Sequence, residues 1–266
     1  LGVNGPDAFV IERTPLHPLV ESLFARDPGG RSWLPALLDA CAGARASLGE
    51  LVDDPGGLEV PLAVRAQTGM LACFSYPAAP TRQMLGWYID HPEALTRPAS
   101  ASGSVSAETE LLRRALLDDD PPGAQARAQD RARDLLRSST PRSPTWWRFE
   151  EPGRLDCLLA TPRLVVAITA PGERGELRPA TPWYPPRSEL VRDLEAARRL
   201  ADGRPFAGIL IGDGGPPAEV VDGAAVAATV TAGTPHLDGA ERADVRNGYL
   251  GYLSWAQMRM ATGASA

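Results

Sequence analysis

The sequence predicts an α/β protein in which a helical amino-terminal region precedes a mixed α/β core, and three observations carry that prediction. The hydrophobic period changes after residue 150, from helical spacing to short apolar runs. Two of those runs, 155–160 (LDCLLA) and 164–169 (LVVAIT), flank Thr161, Pro162 and Arg163 and read as two buried strands joined by a tight turn. An amphipathic stretch at 188–201 then leads into another apolar run, PFAGILIGDGG, which reads as helix followed by strand.

Taken in order, residues 33–52 place Leu34, Leu37, Leu38, Cys41, Leu48 and Leu51 on one helical face, with Ser32 positioned as an amino-terminal cap. A second helix is expected over about 62–74, and a third after Pro80 and Thr81, burying Met84, Leu85, Tyr88 and Ile89. Residues 1–95 are therefore expected to be a helical region. Residues 96–105 have a linker's small, polar, Gly/Pro-punctuated composition, and 106–266 form the α/β core. Within that core, Glu108 and Glu110 open a helix that DDDPPG at 118–123 stops. Residues 124–148 form the most basic stretch, with Arg127, Arg131, Arg133, Arg137, Arg142 and Arg148 against Asp130 and Asp134. In the 188–201 helix, Leu190, Val191, Leu194, Ala197 and Leu200 share a face opposite Arg192, Asp193, Arg198 and Arg199. Asp238 and Glu241 have capping-box spacing ahead of a long carboxy-terminal segment expected to be helical.

Composition excludes several classes. With 266 residues and 44% hydrophobic side chains, the chain can bury a substantial core. No stretch approaches the roughly 18 apolar residues of a spanning helix, so no membrane partner and a cytoplasmic location are expected. Cys41, Cys73 and Cys157 are widely spaced, without a CxxC pair, and read as small hydrophobes. All 27 basic residues are arginine, so mechanisms that need a lysine amine have no residue to use. Net charge is -6, which leaves only a local basic strip to meet phosphates.

If the hairpin turn centres between Pro162 and Arg163, Asp156 faces Thr169 across the strands. An acid placed this way is how many metal-dependent nucleases begin a cation site, because a hard divalent ion needs oxygen ligands from separate strands. RLDCLLATPRLVVAIT, then WYPPRSELVRDLEAARRL and FAGILIGDG, resembles the core of the restriction endonuclease-like, or PD-(D/E)XK, nuclease superfamily over about residues 106–215. The resemblance implies a restriction endonuclease-like mixed sheet flanked by helices, and Mg²⁺ or Mn²⁺ as cofactor for phosphodiester hydrolysis. It matches Asp156 to the first acid and Glu108 or Glu110 to the helical one. Thr169 stands where the second acid belongs and Pro171 where the lysine belongs. Glu173 and Arg174 lie just beyond, as a candidate migrated acid and a charge-stabilising cation; arginine stays protonated and is a poor proton acceptor. The candidate catalytic set is therefore Asp156, Glu173 and Arg174, and the candidate metal set Asp156, Glu110 and Glu173.

The functional expectation is a divergent nuclease-like protein with a compromised metal site, binding or formerly cleaving nucleic acid through Arg127, Arg131, Arg137 and Arg148. The alternative is a noncatalytic protein-protein interaction module that retains the fold. Weaker signals point elsewhere. The glycines of 212–215 lack the GK[ST] ending of a phosphate loop and run into Pro216 and Pro217. His17, His91 and His236 have no metal-ligand spacing, although His236 near Asp238 has the makings of a base with an orienting acid. The aromatic run Trp146, Trp147, Arg148, Phe149 suits core packing better than base stacking, whereas Trp183-Tyr184-Pro185-Pro186-Arg187 equally suits closure over a ligand and a rigid loop feeding a helix.

Overall fold

The computed structural model describes residues 16–27, 29–42, 74–98, 106–138, 145–160, 163–170 and 176–263. Residues 62–73 of the helix expected over about 62–74, most of the 96–105 linker, Cys73, the hairpin turn at 161–162, Pro171, Glu173 and Arg174 lie outside them, as does the side chain of His17. Five strands form one mixed sheet in chain order: β1 (Phe74–Ala78), β2 (Gly153–Ala160), β3 (Val165–Thr169), β4 (Phe206–Gly212) and β5 (Tyr249–Ser254). The first two pairings are antiparallel and the last two parallel. The protein is thus mixed α/β, with helices on both faces of the sheet.

The β2–β3 register pairs Cys157 with Ile168 and Leu158 with Ala167, the register expected from a turn centred between 162 and 163. Alternation along the strands then sorts the side chains. Cys157, Leu159, Val166, Ile168, Ala207, Ile209 and Ile211 face a core built with α1 (Leu16–Arg26), α2 (Leu34–Ala42) and Met258 of α9 (Trp255–Thr262). On the other face, Leu158, Val165 and Ala167 meet α6 (Glu189–Ala201), while Leu210 meets α6, α7 (Gly223–Gly233) and α8 (Gly239–Gly248). Strands covered on both sides read as the continuous apolar runs that the sequence displays. A further cluster packs α3 (Arg82–Asp90), α4 (Ala107–Asp118) and α5 (Gln125–Ser138) around Trp146, Trp147, Phe149, Trp183 and Tyr184. Trp146 and Trp147 are therefore core, as expected, and Trp183 and Tyr184 pack with them.

Three expectations need correction. Residues 74–78 are a strand pairing antiparallel with β2, so the first 95 residues are not all helical. Pro77 within that strand is tolerated because β1 lies at the sheet edge. The carboxy-terminal segment is helix, strand, helix: β5 interrupts it, and Gly251 at φ +148 meets the Cys41 carbonyl so closely that a Cβ would stand 3.0 Å away. Ser32 does not cap α2; its hydroxyl and amide both donate to Asp27 Oδ2 at 2.7 Å, and the described part of that helix ends at Ala42. The capping box of Asp238 and Glu241 forms as expected. No helix among the described residues is long and apolar enough to cross a membrane.

Candidate functional site

Helix α6 crosses from β3 to β4 and lays its second turn over the carboxyl end of β3. Ser188 caps it by accepting from the Val191 amide, Glu189 occupies its first turn, and Arg198 and Arg199 its last. Thr169 shares the parity of Val165 and Ala167 and so points at this helix, as Asp156 does by the parity of Leu158. The expected proximity of positions 156 and 169 is realised: the amide of Ala170 donates to Asp156 Oδ2 at 2.8 Å.

What meets these two residues is an ion pair supplied by α6. Thr169 Oγ1 donates to Asp193 Oδ2 at 3.0 Å, and Arg192 donates to Asp193 Oδ1 through Nε at 2.9 Å, with Nη2 2.8 Å away. Arg192 Nη2 also donates to the Arg154 carbonyl at 3.1 Å. The guanidinium fills the space above Gly153, where any Cβ would overlap it. Both Asp193 and Thr169 are buried. Burial pushes the Asp193 carboxyl up to about 7 against the opposing pull of Arg192 and Thr169, and neighbouring Asp156 adds to the rise. Asp156 is itself raised, chiefly by burial, against the Ala170 hydrogen bond.

Among the described residues the arrangement leaves a cation little room. Both oxygens of Asp193 already accept hydrogen bonds, and a fixed guanidinium stands beside them where a dication would need room and negative charge. Among the described residues no group of three or more His, Cys, Asp or Glu side chains is arranged to hold a metal. Glu110 is held by Arg97 Nη1 at 2.6 Å on exposed α4, so its carboxylate serves a surface pair. Helical spacing alone assigns Arg192 and Asp193 to a polar face, whereas both are buried. The available signal was their adjacency to an apolar stripe on a helix that the flanking strands bury on the same side.

The basic stretch is largely answered by its own neighbours. On α5, Arg133 pairs with Asp90 at 2.8 Å and Asp130 at 2.9 Å, Arg137 pairs with Asp134, and Arg131 lies 3.9 Å from Glu108. Arg148 sits over the Trp147 ring at 5.5 Å, and Arg127 is exposed.

A second buried ionic cluster joins the aromatic lobe to the sheet. Arg187 binds Glu150 at 2.7 Å and Glu195 at 2.9 Å and donates to the Gly233 carbonyl; Tyr88 donates to Glu150 at 2.8 Å. His236 Nε2 lies 3.1 Å from Glu195, not against Asp238, whose carboxylate caps α8. Burial works to raise the Glu195 carboxyl, but the His236 hydrogen bond and the Arg187 charge outweigh it and hold it down at about 2. Burial also pushes the Cys41 thiol up to about 12, as an inert packed cysteine requires. At the end of β4, the Gly215 amide donates to the Tyr252 hydroxyl at 3.2 Å, which occupies one donor a phosphate loop would need.

Comparison with family models, with curated proteins and with solved structures returns no match.

Proposed function

We propose that this chain is a divergent restriction endonuclease-like protein in which the cation site has been replaced by an internal Arg192–Asp193–Thr169 network, and that it acts by noncatalytic binding. The observation that carries this reading is the Arg192 guanidinium. It contributes fixed positive charge to Asp193 beside Asp156, at the juncture of β2, β3 and α6 where the resemblance expects Mg²⁺ or Mn²⁺. Thr169 supplies a hydroxyl where the superfamily supplies a carboxylate, and that hydroxyl is spent on Asp193. The pairing of Arg131, Arg133 and Arg137 with surface acids favours a protein partner over the phosphate backbone of a nucleic acid.

The purified chain, incubated with plasmid DNA, single-stranded DNA and RNA in Mg²⁺ or Mn²⁺, leaves all three intact. Loss of a charged transition-state contact commonly costs about a hundredfold or more. Cleavage that disappears in Asp156→Ala contradicts the reading. Binding to DNA that falls steeply with salt moves the partner from protein to nucleic acid without restoring catalysis.

A further inference from the structure

We draw no further inference here: the strongest candidate, the uncharged outer face of α7 formed by exposed Ala224, Ala228, Thr231 and Ala232 after the exposed Val221, is a stripe of small residues, and nothing in the structure shows what covers it.

Discussion

Arg192 and Asp193 are adjacent in sequence, yet both are buried and bonded to each other, to Thr169 and to the Arg154 carbonyl. Removing one partner of a buried pair leaves the other uncompensated, which costs about 3–5 kcal/mol, whereas replacing both by apolar groups is often neutral. Arg192→Ala is therefore expected to destabilise by about that amount at pH 8 and by less at pH 5, where Asp193 escapes by taking a proton. The double exchange Arg192→Met with Asp193→Leu recovers most of the loss. Urea denaturation at the two pH values checks this, and a single variant as stable as the parent at pH 8 contradicts it. Residue by residue, the sequence made Asp156 and Thr169 legible because hairpin symmetry alone sets them opposite one another. It left Arg192 and Asp193 illegible because charged residues at helical spacing ordinarily mark a solvated face, and only the packing of α6 against β3 reverses that reading.

Helix α6 lies against β4 through Leu190, Val191 and Leu194 and against β3 through Ala196, Ala197 and Ala201, and β4 accommodates it with a glycine. A Cβ at Gly208 would overlap Leu194 Cδ2, so the helix sits as close as the bare backbone allows. Gly208→Val is expected to cost about 1–3 kcal/mol, the ordinary penalty of overpacking, and Leu194→Ala in the same chain offsets part of it. Additive losses in a double-mutant cycle contradict this account of the contact. At this scale β2, β3, α6 and β4 were legible, because buried strands and amphipathic helices each leave a period. β5 was not, even though Asn247-Gly248 breaks the chain ahead of it, because the half-buried pattern of Tyr249–Ser254 matches neither period cleanly. β1 was hidden because Pro77 speaks against a strand unless the strand is known to be at an edge.

Over the whole molecule, the two buried ionic clusters set opposite pH limbs. Asp193 has a folded-state value of about 7 against an ordinary 3.8, so folding takes up a proton between those values and stability falls as pH rises from about 4 to 7. Glu195 is held at about 2 from an ordinary 4.5, so its contribution is present above about pH 4.5 and is lost as pH falls toward 2. Asp193→Asn is expected to flatten the upper limb and leave the acid limb intact; chemical denaturation across pH 3–8 reads both, and an unchanged slope from pH 4 to 7 contradicts the assignment. The central claim is that an internal guanidinium stands in the place of a metal ion, and Mn²⁺ titration calorimetry of the full chain tests it most directly. The account predicts at most weak binding that is indifferent to Asp156→Ala, and tight stoichiometric binding abolished by Asp156→Ala would contradict it.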